Sequence, residues 1–155
     1  MKKIKILIPV YNDWQSVFQL LEKINVEVST LEFEFSVIIV NDASTEDRPM
    51  ISDDLKNLKF VQIINMRENK GHARCNAAGL KYINEKVDFD YIIPMDGDGE
   101  DRPEELSLLI EKINDYPDTV VTANRVKRSE GFLFKFCYLV HKYLALVFTG
   151  QNIKY

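Results

Sequence analysis

Apolar residues come in short runs divided by polar punctuation, and two spacings alternate along the chain. Residues 4–9, 35–40, 60–64, 91–95 and 119–123 are compact runs with the length and β-branched content of buried strands. Between the first two runs, Val17, Leu20, Leu21 and Ile24 recur at helical spacing. Further helices are predicted over residues 73–84, starting near Gly71, and over residues 104–114. Polar loops leave the strands: Val10-Tyr11-Asn12-Asp13 after the first, Asn41-Asp42-Ala43-Ser44-Thr45 after the second. This alternation predicts an α/β fold, a Rossmann-like, mostly parallel sheet with helices on both faces. The loops after strands one, two and four then share one rim, so Asp13, Asp42 and the acidic stretch from Asp96 would line a single crevice.

That acidic stretch is the most specific feature of the chain. The fourth strand runs out into Asp96-Gly97-Asp98-Gly99-Glu100-Asp101-Arg102-Pro103. In an extended segment, side chains at alternate positions point the same way, so Asp96, Asp98 and Glu100 would converge. Such a concentration of negative charge calls for a hard divalent cation, Mg²⁺ or Mn²⁺. Gly97 and Gly99 would let a bulky ligand approach the backbone. Pro103 suits a first helical turn, and Glu104 and Glu105 favour its positive end.

Composition narrows the classes. A length of 155 residues fits one domain, and 46% hydrophobic content suffices for a core. The formal net charge of -4 argues against nucleic acid as a partner. Cys75 and Cys137 show neither metal spacing nor a disulfide framework, which suits a reducing, cytoplasmic compartment. The opening Met1-Lys2-Lys3-Ile4-Lys5-Ile6-Leu7-Ile8-Pro9 reads as a strand, since it lacks the longer apolar run and cleavage site of a signal peptide.

Other motifs match the acidic stretch less well. An EF-hand loop from Asp96 needs Gly sixth and Glu twelfth, where the chain has Asp101 and Ser107. Asp96-Gly97-Asp98-Gly99 also resembles the nucleophile motif of haloacid-dehalogenase-type phosphatases, but Glu100 stands where that family has Thr or Val. The blandest reading is a solvated Asp-Gly turn. Neither a P-loop nor a dinucleotide Gly-x-Gly-x-x-Gly is present, Arg102 occupying the third glycine position.

Four motifs in order carry a family resemblance: Ile8-Pro9-Val10-Tyr11-Asn12-Asp13, then residues 39–47, then Asn69-Lys70-Gly71-His72-Ala73 with Gly79, then residues 95–104. Over most of residues 3–125 the chain resembles the nucleotide-binding half of family 2 glycosyltransferases of GT-A fold. The subgroup it resembles contains dolichyl-phosphate mannosyltransferase and undecaprenyl-phosphate sugar transferases. The resemblance implies that Pro9, Tyr11 and Asp13 hold the base and ribose of a UDP- or GDP-sugar, with Asp13 where relatives more often have Glu. Asp42 would bond the base edge. Asn69 and Gly71 would approach the nucleotide, and His72 would reach a phosphate. Asp96 and Asp98 match a metal-binding Asp-x-Asp element, with Glu100 at a third ligand position. Arg74 stands where relatives often have a small residue and reads equally as a solvated cation.

The implied reaction is inverting, metal-dependent transfer of a sugar from a nucleoside diphosphate, with Asp98 in the catalytic centre. A lipid-phosphate acceptor is already anionic and needs no general base; for a hydroxyl acceptor, Asp101 is the candidate base. Residues 126–155 are expected to form an aromatic-rich amphipathic helix and the start of an acceptor region that is cut short. That helix would lie on the cytoplasmic membrane face, contacting a polyprenyl-phosphate lipid or the membrane surface, or simply pack on the sheet. Arg125 and Arg128 would hold an acceptor phosphate, or form a solvated cluster with Lys127. Two further expectations are self-association through an exposed apolar face and, as the alternative to an enzyme, a nucleotide-sugar-binding module without activity of its own.

Overall fold

Four of the five predicted strands form, and every pairing among them is parallel: β1 (Lys3–Val10), β2 (Glu34–Asn41), β3 (Leu58–Asn65) and β4 (Tyr91–Pro94), in the order β3-β2-β1-β4. The computed structural model describes residues 1–52, 54–117, 119–123 and 140. Met1–Val121 makes one unit and Thr122–Tyr155 a second. Arg125, Lys127, Arg128 and, Val140 apart, the apolar run of 126–155 lie outside the described residues.

β1 shows how alternation builds two layers. Ile4, Ile6, Ile8 and Val10 face one side, where they pack with Val17, Leu21 and Ile24 of α1 (Trp14–Glu27) and with Leu106 and Ile110 of α3 (Leu106–Asp115). Leu7 faces the other side with Ile38 and Val40 of β2, against Cys75 and Ile83 of α2 (His72–Lys86). Both faces of the parallel sheet are thus covered, as its continuous apolar strands require. Gly79 lets α2 lie close to the sheet: a Cβ there would stand 2.4 Å from Leu7 Cδ1 and 2.8 Å from Val40 Cγ2.

One charge is buried in this sheet. Lys5 is only 2% exposed; its Nζ donates to Ser36 Oγ at 3.1 Å and lies 3.9 Å from Glu34 Oε1 and 5.1 Å from the Phe60 ring centroid. Burial lowers its pKa, with Glu34 opposing that effect.

The fifth strand does not form. Residues 119–123 are irregular, with Val120 92% exposed. Thr119 instead serves the end of α3, its N and Oγ1 both donating to Tyr116 O at 3.3 and 2.9 Å. Thr119-Val120-Val121-Thr122 has strand-like composition, but a strand exists only through the ladder it joins, so local preference is overridden. The predicted 104–114 helix is present as a 3-10 turn, Pro103–Glu105, leading into α3.

Two prolines end the pairing at the functional rim. Val10 O accepts from Asp42 N, and Leu7 O from Met95 N, so even positions of β1 address β2 and odd ones β4. Pro9 therefore lacks its N–H on the β4 side, and the β1–β4 register stops at Leu7↔Pro94. Pro94, one residue before Met95, is turned away from β1, where no ladder donor is required. Beyond this point the acidic segment is released from the sheet.

Candidate functional site

Strand order reverses between β1 and β4: β2 and β3 lie on one side of β1, and the chain then crosses to place β4 on the other. The carboxyl ends of strands beside such a reversal bound the crevice in which open α/β sheets take ligands. A cleft of about 170 Å³ occupies that place, with Pro9, Tyr11 and Asp13 from the end of β1, Asp96 and Asp98 from the end of β4, and His72 from α2. A second cleft of about 240 Å³ adjoins it through Asp98, walled by Ser16, Gln19 and Lys23 of α1 and by residues 99 and 101–104.

The acidic segment is a turn, which corrects the extended alternation expected of it. Gly97 and Asp98 form the turn, Gly99 has φ +82°, Asp98 Oδ1 accepts from Glu100 N at 2.9 Å, and Asp101 Oδ2 accepts from Asp96 N at 2.8 Å. Asp96 and Asp98 still line one cleft, but Glu100 lines neither of the two. Among the described residues, no three His, Cys, Asp or Glu side chains are grouped as a ready cation cage. The reason is local: carboxylates that accept backbone N–H groups two or five residues away close a turn and cannot also stay on one face of an extended strand. The glycines also have structural parts. A Cβ on Gly97 would meet Val17 Cγ2 at 2.8 Å and Pro9 O at 3.3 Å, so this glycine seats the turn against β1 and α1; Gly99 has open space and supplies positive φ.

One or two carboxylates can nevertheless serve a small hard cation. Mg²⁺ keeps several oxygen ligands from water and substrate, and is commonly held by one or two carboxylates together with phosphates. Asp96 and Asp98 on one wall of an open cleft fit that donor set, the Asp96 side chain being 47% exposed.

Asp42 is buried, and both its oxygens are engaged: Oδ1 accepts from Lys70 N and Oδ2 from Gly71 N, each at 2.8 Å. It thereby anchors the loop that opens α2, whose N-cap is Gly71 at φ +83°. Asn69 Oδ1 adds a bond from Gly71 N at 3.2 Å. His72 then begins the helix, with Nε2 3.4 Å from Asp96 Oδ1 and 3.0 Å from Asn76 Nδ2. A neutral Nε2 accepts from the Asn76 amide, whereas a protonated one donates to Asp96. Cys75, one turn on, is fully buried; desolvation, and after it the Asp42 carboxylate, push its thiol up to about 11. Asp13 has a structural part as well, capping α1 by accepting from Ser16 N at 3.3 Å.

The sequence reading passed over Asn12, Asn41 and Ser44 as chemistry-bearing residues. Asn12 Oδ1 accepts from Thr45 N and Glu46 N, while Asn41 Nδ2 donates to Asn65 Oδ1 and Asn41 Oδ1 accepts from Ser44 N. A signal was present, since Asn in a loop after a strand is a residue that bonds neighbouring backbone and tolerates positive φ.

Comparison with solved structures defines the class. Staphylococcus aureus TarS in complex with UDP matches over 83% of this chain and 39% of its own, with TM-score 0.58 at 20% identity. The mannosyltransferase PcManGT from Pyrobaculum calidifontis, in complex with GDP-Man and Mn²⁺, matches over 73% and 32%, with TM-score 0.56 at 17% identity. At such identities the likeness is one of fold, and the fold is the GT-A type of α/β protein. The family model for glycosyl transferase family 2 matches residues 5–149, and the chain belongs to that family. Similar curated proteins are the undecaprenyl-phosphate 4-deoxy-4-formamido-L-arabinose transferases of Proteus mirabilis, 29% identical over 132 residues, and of Klebsiella pneumoniae, 26% over 133. The match covers 84% of this chain and 39% of each of those relatives.

Proposed function

We propose that the chain is the donor-binding part of an inverting, metal-dependent glycosyltransferase that moves a sugar from a nucleoside diphosphate to a lipid phosphate. The observation that carries this is the switch-point cleft, where Tyr11, His72 and the Asp96/Asp98 pair line one volume. Complexes of fold neighbours with UDP and with GDP-Man and Mn²⁺ support the donor and cation classes. The names of the undecaprenyl-phosphate transferases support the acceptor class.

In this reading Pro9, Tyr11 and Asp13 hold the base and ribose, the half-exposed Tyr11 ring offering an apolar face. Asp42 holds the 69–71 loop in place and, through its remaining lone pairs, meets the base edge. The diphosphate lies against the N-terminal turn of α2, whose first N–H groups have no helical acceptor and carry the positive end of the dipole. His72 adds a donor there. Asp96 and Asp98 would hold Mg²⁺ or Mn²⁺ against the diphosphate, with Glu100 as a third ligand if the turn opens. The cation, when bound, supplies Lewis-acid stabilisation of the departing diphosphate. The acceptor phosphate oxygen forms its bond to the anomeric carbon as the bond to the diphosphate breaks, with inversion. Its oxygen is already anionic, so no proton needs to move. Asp101, bonded to Asp96 N, enters as a base only for a hydroxyl acceptor. Arg125 and Arg128 belong to the acceptor side. The site works at the cytoplasmic membrane face; among the described residues no helix is long and apolar enough to cross a membrane.

Calorimetry with UDP or GDP and Mn²⁺ tests the donor site. Asp98→Ala should abolish cation-dependent binding, and unchanged binding contradicts the proposal. A second reading is a nucleotide-sugar-binding module without turnover. Tight donor binding with neither hydrolysis nor transfer selects it; turnover selects the enzyme.

A further inference from the structure

We infer that Asn12 is a positioning residue, a latch that sets the distance between the two loops assigned to the nucleoside base. The inference rests on the donor-site reading above and adds to it a residue with no ligand contact of its own. Two non-glycine residues among those described have positive φ: Asn12 at 52° and Ala43 at 58°. Each directly follows a residue assigned to the base, Asn12 after Tyr11 and Ala43 after Asp42. Left-handed backbone is unfavourable at alanine and tolerated by asparagine, and in both loops surrounding bonds help to hold it.

The bonds that help to hold it run between these two loops. Asn12 N donates to Ser44 Oγ at 3.0 Å, and Asn12 Nδ2 to Thr45 Oγ1 at 3.0 Å. Asn12 Oδ1 accepts from Thr45 N at 2.8 Å and from Glu46 N at 3.2 Å. Ser44 N donates in turn to Asn41 Oδ1 at 2.9 Å, and Asn41 Nδ2 to Asn65 Oδ1 at 2.9 Å. A chain of polar groups thus ties the ends of β1, β2 and β3, and Asn12 is its link across the base-binding gap. Asp42 itself is fixed by its N–H to Val10 O and by its carboxylate to Lys70 N and Gly71 N, but residues 43–46 beyond it form no regular structure, so the Asn12 link is what ties that stretch to the loop after β1.

Three variants separate the parts of the latch. Asn12→Asp keeps the acceptor for the Thr45 and Glu46 amides, Asn12→Gly keeps the positive φ without the side chain, and Asn12→Ala keeps neither. Calorimetry with the nucleoside diphosphate and Mn²⁺ should show Asn12→Asp within about threefold of wild type, and Asn12→Gly and Asn12→Ala weaker by about tenfold or more. Binding of inorganic pyrophosphate with Mn²⁺, which has no base to place, should be unchanged in all three. Nucleotide binding at wild-type strength in Asn12→Gly overturns the inference, as does equal loss for nucleotide and pyrophosphate, which marks a general structural role. Amide hydrogen exchange reads the latch without ligand: the Thr45 and Glu46 amides should exchange faster in Asn12→Gly but not in Asn12→Asp. Unchanged exchange in Asn12→Gly also overturns it. Failure of the wild-type chain to bind nucleotide sinks the donor-site reading instead, and exchange still decides the latch.

Discussion

Replacing Gly79 by Ala sets helix preference directly against packing. In the interior of α2, alanine is favoured over glycine by about 1 kcal/mol, because glycine loses more backbone freedom on folding. Against this, the new methyl would lie 2.4 Å from Leu7 Cδ1 and 2.8 Å from Val40 Cγ2. Carbon atoms settle at about 3.5–4.0 Å, so a gap of roughly 1 Å must be opened. Leu7 and Val40 are fully buried in adjacent strands, so any shift of their side chains is made within the core. Either Leu7 leaves its rotamer or α2 lifts from the sheet, an overpacking cost of about 1–3 kcal/mol. Set against the helix preference, that cost leaves Gly79→Ala a net loss of about 0–2 kcal/mol in urea unfolding followed by circular dichroism. In the double variant with Leu7→Ala, the added methyl occupies part of the vacated volume. The two costs should therefore sum to less than their separate values by about 1 kcal/mol or more. Lifting α2 also pulls Lys70 N and Gly71 N from Asp42, so donor affinity should fall with stability. A Gly79→Ala variant more stable than wild type would refute the reasoning.

Cys75 and the glycines of the acidic turn carry further outcomes. Cys75 should resist iodoacetamide in the native protein at pH 8, with the modified position mapped by mass spectrometry; labelling at the unfolded rate counts against it. Because its folded pKa is raised from 9.0 to about 11, its stabilisation is complete below pH 9 and is lost as pH rises through 11. That loss is at most about 3 kcal/mol and should be missing in Cys75→Ala. The two glycines of the acidic turn should fail for different reasons. Gly99→Ala should cost about 1–2 kcal/mol through backbone strain and be eased by Asn, which tolerates positive φ. Gly97→Ala should be eased by Val17→Ala, whose missing methyls clear the 2.8 Å contact. Rescue in the opposite sense in urea unfolding would overturn both assignments.

Much of the architecture was legible before any coordinates. Ile4, Ile6 and Ile8 with Val17, Leu21 and Ile24 announce a strand and the helix that covers it, and the packing is the one their spacing implies. The shared rim follows from parallel topology, and Asp13, Asp96 and Asp98 do line one cleft, but Asp42, expected beside them, is buried under the 70–71 amides and lines neither of the two clefts. The geometry within that rim was less legible. Asp96, Asp98 and Glu100 alternate in sequence, yet side-chain bonds to nearby N–H groups turn the backbone and break the expected trio. Residues 119–123 have strand composition and join no ladder among those described.

What the amino-acid sequence determined alone is the order and type of elements and the end of the sheet at which polar chemistry collects. Periodicity is a local property, and burial of an apolar face selects it strongly. Tertiary structure alone decided how each residue of the rim is used: Asp42 as anchor of the α2 loop, Gly97 as a seat for the acidic turn, Asn12 as a tie between loops. Their partners lie far away in sequence, and a hydrogen bond depends on ångström-scale placement that no spacing along the chain encodes.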